Sequence, residues 1–473
     1  MSGVESPRTG GRSTPSRIRP RPSPAVVVAV LAFFVVTLDA VVVNVALPSI
    51  RESLGGGIQG LQWVVDGYAL MFAATLLTAG SLSDRFGAKR AMGYGITLFV
   101  LTSAACGLAP TLGLLVLSRL LQGAAAAIMM PSSMALIGQA HDDPVRRARA
   151  VAAWATGGAV ASSSGPLIGG LLTLVDWRLV FLVNLPVGIA GLLLLRRTTP
   201  SPHSRVPLDV AGQVTAVIAM GGLTYAVIDA GEEGIGAPRV VVPFVVAVVA
   251  AAGFVVSQAR GSHPMVPLSL VRSPTMPTAM VIGFSFMVGF YGVPFLFSLY
   301  FQQVRTLTPL ATGLAFMPMM VVGLVLSPFA AVIVERLGSR IPIVGGLGLM
   351  ALGLVCLAIL APTAPLWVVS ALMVLIGLGG PLTMPPTVAV LLNSVPSRLA
   401  GTASGVFNTS RQVGGALAIA LFGALLADSS SFVGGLRSSL LIGAAVLLAA
   451  AVAAVRLPRV RPRSRAAEGS TPT

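Results

Sequence analysis

The chain reads as an all-α membrane protein of about fourteen transmembrane helices. Three observations carry this reading. Of its 473 residues, 55% are hydrophobic and only 10% are charged, against about 25% charged in soluble domains. Mean hydropathy is +0.90, more apolar surface than one soluble core could hide. The Lys and Arg residues gather in alternate loops and in two tails, as a multi-pass topology requires.

Residues 1–24 are rich in Pro, Ser and Arg and are expected to form a disordered basic tail. Apolar segments of spanning length follow at 25–48, 61–82, 91–110, 112–136, 148–174, 179–195, 209–229, 240–258, 276–301, 311–334, 341–361, 366–393, 401–427 and 437–456. Residues 457–473 make a second basic tail. With the N-terminus placed inside, 24 of the 31 Lys and Arg residues fall on the inner side. Only Arg51, Arg178, Arg239, Arg305 and Arg437 fall outside, while Arg119 and Arg411 lie within segments. This bias puts both termini in the cytoplasm of a multi-pass cell-membrane protein. The first apolar run is long and is followed by no small-residue cleavage site, so no cleavable signal peptide is expected.

A weak repeat divides the chain. Asp84-Arg85-Phe86-Gly87-Ala88-Lys89 follows the second segment, and Glu335-Arg336-Leu337-Gly338-Ser339-Arg340 follows the tenth. The expected organisation is an N-terminal six-helix bundle (25–197), an inserted helix pair (198–260) and a C-terminal six-helix bundle (261–456). Two related halves with a site between them suit alternating access.

The net charge of +16 does not point to nucleic acid, because it follows the membrane topology. The glycine runs at 55–57 and 345–346 are followed by no Lys-Ser/Thr and lie in no βαβ unit, so they are not phosphate loops. No cluster of Ser, His, Cys or acids lies at membrane depth, so neither a catalytic centre nor a metal site is expected, and no cofactor. Cys106 and Cys356 sit in separate apolar runs and read as buried thiols without a disulfide.

Asp39 lies near the middle of the first segment. A carboxylate at that depth costs roughly 2.5–3.5 kcal/mol on insertion scales, and such residues are mostly paired and functional. Burial favours the neutral form of a carboxylate, which lets it exchange a proton. By a rise of ~1.5 Å per residue, Arg119 lies roughly 10 Å from the outer end of segment 4 and Asp39 roughly 13 Å from that of segment 1, depths compatible with contact. A guanidinium that approaches and withdraws would make proton exchange at Asp39 switchable. Asp66 lies near the outer end of segment 2 and either takes part in coupling or hydrates an outer vestibule. Segment 9 carries Phe284, Phe286, Phe290, Tyr291, Phe295, Phe297, Tyr300 and Phe301. These suit a pocket for flat lipophilic ligands or, equally, lipid contact.

Several stretches carry a family resemblance. Gly80 to Arg90 resembles the loop 2–3 signature of the major facilitator superfamily, and Leu115 to Ala127, with Arg119, Gln122 and Gly123, resembles its segment-4 signature. Gly165-Pro166-Leu167-Ile168-Gly169-Gly170 resembles the segment-5 motif of its antiporters. Leu38 to Pro48, Asp176 to Pro186, and Ser404 to Gly415 are together similar to the fourteen-helix drug:H⁺ antiporters. The resemblance implies the major facilitator fold and a proton-coupled exporter of lipophilic, in some cases cationic, small molecules, driven by the proton gradient. It implies proton coupling at Asp39, Arg119 and Asp66. A cargo cavity would draw on Asn44, Trp63, Tyr68, Gln122, Phe290 and Tyr291. Asp84, Arg85, Gly87 and Lys89 would form a latch, with the start of segment 13 as partner, and Gly165, Pro166, Gly169 and Gly170 a hinge. Asn408, Arg411 and Gln412 read as structural, anchoring segment 13. The partners expected are a small molecule, protons and the bilayer, with the chain a monomer. An importer, or a metabolite or amino-acid exporter, on the same fold is the alternative.

Overall fold

The computed structural model describes residues 23–457 except 142, 203–207, 262–263, 268–269, 271–272, 274, 397–398 and 429–430. The two basic tails lie outside the described residues but for their innermost positions. Among the described residues every regular element is helical. The N-terminal half holds α1 (Pro24–Leu54), α2 (Ile58–Phe86), α3 (Ala88–Gly107), α4 (Leu112–Ala140), α5 (Pro144–Val175) and α6 (Leu179–Leu182 and Asn184–Arg196, joined at Val183). The inserted pair is α7 (Val210–Glu233) and α8 (Pro238–Arg260). The C-terminal half holds α9 (Thr275–Leu299, ending in a π-helical turn over Tyr300–Val304) and α10 (Pro309–Leu326, then a 3-10 turn over Ser327–Phe329 and Ala330–Leu337). It continues with α11 (Arg340–Leu360), α12 (Leu366–Asn393), α13 (Ala400–Asp428) and α14 (Phe432–Ala454).

Thirteen helices among the described residues are long and apolar enough to cross a bilayer. The exception is α3, which at 20 residues is long enough at ~1.5 Å per residue. It is more polar than the rest because Lys89 and Arg90 open it and Thr102 and Ser103 lie within it.

Local chemistry sets the helix starts. Ser23 accepts from the Val26 N–H, and Pro24, which has no N–H to lose, opens α1. Asp143 caps α5 with Pro144 behind it, and Thr308 caps α10 with Pro309 behind it. Arg178 ties α3 to α6: its Nη1 donates to the carbonyls of Gly107 (3.1 Å) and Ala109 (2.8 Å). A cation there answers the orphan carbonyls at the end of α3.

The two halves meet along α5–α10 and α2–α13, with a shorter contact between α1 and α9. α7 packs on both α2 and α13, and α8 packs chiefly on α7. The outer face of α8 exposes Val241, Val242, Val245, Val248 and Val249, the valine surface that suits lipid. The ends of the bundle differ. One, the basic end, carries the start of α1 and the α2–α3 turn. At the other, the far end, the halves are sealed. Ser298 Oγ donates to the Asn44 carbonyl (2.5 Å) and Gln302 Nε2 to that of Val45 (2.9 Å), which joins α9 to α1. Gln62 Nε2 donates to the Ala420 carbonyl (2.6 Å), which joins α2 to α13. α10 approaches α5 so closely that a Cβ on Gly313 would sit 2.2 Å from the Pro166 carbonyl oxygen.

Candidate functional site

The N-terminal half encloses one charged network. Asp39 on α1 and Arg119 on α4 are both 0% exposed, and Arg119 Nη1 donates to Asp39 Oδ2 at 2.5 Å. The other carboxylate oxygen, Oδ1, accepts from Asn184 Nδ2 on α6 (2.7 Å) and from Gln122 Nε2 on α4 (3.1 Å). Arg119 also donates from Nε to the Val64 carbonyl (2.9 Å) and from Nη1 to Gln122 Oε1 (2.9 Å), and its guanidinium lies 4.3 Å from the centroid of the Tyr68 ring. Ser103 on α3 completes the set. Its hydroxyl accepts from Gln122 and Asn184 and donates to the Phe181 carbonyl at 2.8 Å. Four helices thus converge on one carboxylate, which is the way a buried charge becomes tolerable.

Beside this network lies a cavity of about 1020 Å³ between the halves. The helices that line it contribute residues from their middle and basic-end portions: Val36 and Ala40 from α1, Val65 to Asp84 from α2, Met319 to Ser327 from α10, Thr402 to Gln412 from α13. None of the far-end sealing residues lines it. The cavity therefore opens at the basic end and is closed at the other. Its walls are aromatic on both sides. Phe33 and Trp154 stack with ring centroids 4.0 Å apart in the N-terminal half. Phe286 and Phe290 stack at 5.3 Å in the C-terminal half, next to Tyr291. Arg119 and Tyr68 line the cavity, and Asp39 sits behind them. Neutralising Asp39 would leave Arg119 with only neutral acceptors.

Tyr68, Phe290 and Tyr291 line the cavity, while three other residues expected there do not. Gln122 belongs to the Asp39 network. Asn44 turns back to its own helix, donating to the carbonyls of Ala40 and Val41. Trp63 lies against Tyr225 of α7, in a separate recess of about 270 Å³ with Asp229, Glu232 and Glu233. Of the segment-9 aromatics, Phe286, Phe290 and Tyr291 line the cavity, whereas Phe295, Phe297, Tyr300 and Phe301 are fully buried toward the far end, Tyr300 and Phe301 against Phe432 and Phe316 of the same half. Asp66 is 0% exposed, and neither of its carboxylate oxygens has a hydrogen-bond partner among the described residues.

The α2–α3 turn is built by Gly87, whose φ of +82° suits only glycine. Lys89 donates from its backbone N–H to Ser201 (3.0 Å) and from Nζ to the Arg196 carbonyl (3.3 Å), which pins the turn to the end of α6. Arg85 is exposed, and Asp84 lines the cavity along with Thr402 at the start of α13. In α5, a Cβ on Gly165 would sit 2.8 Å from Val41 and one on Gly169 2.7 Å from the Val42 carbonyl oxygen, so these two residues let α1 approach. Gly170 faces α10 instead, 2.8 Å from the Leu310 Cα by the same measure. Asn408, Arg411 and Gln412 line the cavity on the side of α13, where Arg411 Nη1 donates to Asn408 Oδ1 at 3.0 Å.

Sequence reasoning assigned no role to Asn184, Ser103, Phe33 or Trp154. Asn184 carried a usable signal, as an amide inside the apolar run 179–195.

Comparison with known proteins follows the same lines. The family model described as Major Facilitator Superfamily matches residues 29–419. The chain is 33% identical over 452 residues to a methylenomycin A resistance protein of Streptomyces coelicolor, covering 94% of this chain and 93% of that protein. It is 36% identical over 407 residues to the multidrug resistance protein Stp of Mycobacterium tuberculosis, covering 84% of this chain and 74% of that protein. Its fold is similar to that of a D-xylose-proton symporter, with a TM-score of 0.69 at 15% identity over 92% of this chain and 98% of that one. Two six-helix halves around a central cavity, a matching family model over most of the length and relatives aligned nearly end to end agree: the chain belongs to the Major Facilitator Superfamily.

Proposed function

We propose that this protein is a proton-coupled efflux transporter, a drug:H⁺ antiporter that exports lipophilic small molecules across the cell membrane by alternating access. One observation carries the reading: a fully buried Asp39–Arg119 pair lies directly behind an aromatic cavity that is open at one end. The names of two relatives, methylenomycin A resistance protein and multidrug resistance protein Stp, support it. The basic end and both termini face the cytoplasm, so the state described is inward-open. The chain works as a monomer, needs no cofactor and draws on the proton gradient.

Cargo enters from the cytoplasm between Phe33/Trp154 and Phe286/Phe290/Tyr291 while Asp39 is ionised and held by Arg119. The halves then rock. The far-end seal opens, α5 turning on Gly165, Pro166, Gly169 and Gly170, and the segment around Asp84, Arg85, Gly87 and Lys89 latches the basic end. Outside, a proton neutralises Asp39 and frees Arg119, and the protein returns to release the proton inside. Asp66, an orphaned carboxylate on α2, is the second place where a proton can reside. Exchange requires that proton and cargo favour different states.

Inverted membrane vesicles energised to be acid inside test this. Ethidium, fluorescein and a neutral anthraquinone are added in turn to vesicles holding the wild type or Asp39→Asn. At least one compound should dissipate the pH gradient with the wild type and none with the variant. Equal coupling by both forms removes Asp39 from the mechanism. A wild type that answers to no compound overturns the efflux reading.

A further inference from the structure

Three ionisable side chains other than tyrosine line the cavity: Asp84, Arg119 and Arg411. Asp84 lies at the mouth, and the charge of Arg119 is met by Asp39. Arg411 differs. Among the described residues its hydrogen-bond partner is the neutral Asn408 amide, at 3.0 Å. Its Nε is buried with no partner among the described residues, as is Nη2 of Arg119. The nearest aromatic face, that of Phe407, lies at 6.0 Å from the guanidinium, the limit of a useful cation–π distance. No carboxylate among the described residues bonds it.

An uncompensated cation at membrane depth is costly and needs a partner. While the cavity is open, water can supply one. As the halves close over cargo that water leaves, and the cargo itself is then the available partner. The surroundings say what kind. Tyr291 packs against Gly415, one helical turn on from Arg411, and the stacked Phe286–Phe290 pair continues the platform. The site thus offers flat apolar contact beside a guanidinium whose planar fork matches two oxygens of a carboxylate.

We infer that Arg411 is a specificity-determining cargo contact, and that the cavity takes lipophilic aromatic acids, bound as carboxylate or phenolate anions, in preference to lipophilic cations. This rests on the efflux reading for the identity of the cavity. It replaces the structural role read from the sequence with a binding one, and it turns the charge preference away from the cations that the resemblance allowed.

The test is binding to purified protein in detergent, which needs no proton coupling and stands whether or not Asp39 carries the proton. Fluorescein is the anionic probe and ethidium the cationic one. The wild type should bind fluorescein more tightly. Arg411→Gln should weaken fluorescein roughly tenfold or more, as expected when a charge-assisted, two-pronged bond becomes a neutral contact. Arg411→Lys, which keeps the charge and loses the fork, should fall between. Ethidium should bind Arg411→Gln at least as well as the wild type. Equal loss of both probes in Arg411→Gln and Arg411→Lys marks a structural arginine and overturns the inference. So does a wild type that prefers ethidium, or one that fails to bind fluorescein at about 1 mM, where only ~4 kcal/mol of affinity would be needed. Failure of the efflux reading shows up separately, as wild-type vesicles in which no compound dissipates the pH gradient.

Discussion

Each half of the molecule places one arginine inside the membrane, and the two environments are unlike. Arg119 is completely buried among a carboxylate, an amide, a backbone carbonyl and the face of Tyr68. Arg411 is half-buried in the cavity wall, with one amide and an unbonded Nε. The first arginine has its counter-charge without cargo, although its Nη2 also lacks a partner, whereas the second has no counter-charge among the described residues. A buried ion pair adds little net stability, but removing one partner is expensive. The fold can therefore use Arg119 as a part whose charge is released only when Asp39 is neutralised. Arg411 stays available to whatever enters. On the proposed reading, one half handles the proton and the other the cargo.

The largest contrast comes from deleting each charge. Arg119→Met leaves Asp39 buried with amides as its only donors, and should destabilise the folded protein by about 3–5 kcal/mol. Arg411→Met removes a charge that has no counter-charge among the described residues, and should cost less than about 1 kcal/mol or raise stability. Thermal unfolding of the two variants in one detergent decides the matter. Equal losses would mean that Arg411 has a counter-charge of its own, and the division between the halves would fail. Adding Asp39→Leu to Arg119→Met should recover most of the loss, because both charges then leave together.

A smaller contrast separates the two asparagines. Asn184→Leu takes from Asp39 Oδ1 its 2.7 Å donor, a bond to a charged group worth about 1.5–3 kcal/mol. Asn408→Leu takes away the amide partner of Arg411. It should change stability by no more than about 0.5 kcal/mol, because that guanidinium already faces the open cavity. Urea titration of the two proteins compares them. A large loss for Asn408→Leu would make the Asn408–Arg411 bond a structural brace and would bring the two halves closer in kind.

How much of this was legible follows from what a sequence records. Charge at depth is visible as soon as the apolar runs are drawn, so Asp39, Arg119 and Arg411 stood out, and helical rise put the first two at matching depths. Direction around each helix axis is not visible. Trp63 and Gln122 lie at suitable depths, yet Trp63 faces α7 and Gln122 faces Asp39. Segment 9 hid a division along its length, with the cavity wall at Phe286 to Tyr291 and the far-end seal beyond. Neutral members of the network left the faintest trace. A serine such as Ser103 in an apolar helix more often bonds the preceding turn of its own backbone, as Thr102 does here at 2.7 Å to the Leu98 carbonyl. Only the packing of α3 against α4 and α6 turns it toward its partners.

Ser103 gives the smallest and finest test of the comparison. Its hydroxyl touches neither charge, yet it accepts from both amides that hold Asp39, Gln122 at 3.1 Å and Asn184 at 3.0 Å. Ser103→Ala leaves each amide its bond to the carboxylate but removes the post that fixes its direction, and it frees the Phe181 carbonyl. The expected loss is about 1 kcal/mol, within reach of careful unfolding measurements. The sharper readout is the rate of gradient dissipation in vesicles. If the amides only fill space, the rate stays where it is in the wild type. If they hold the carboxylate against Arg119, loosening them slows dissipation while fluorescein binding at Arg411 is unchanged. A change in both would mean that the two arginines share one environment after all.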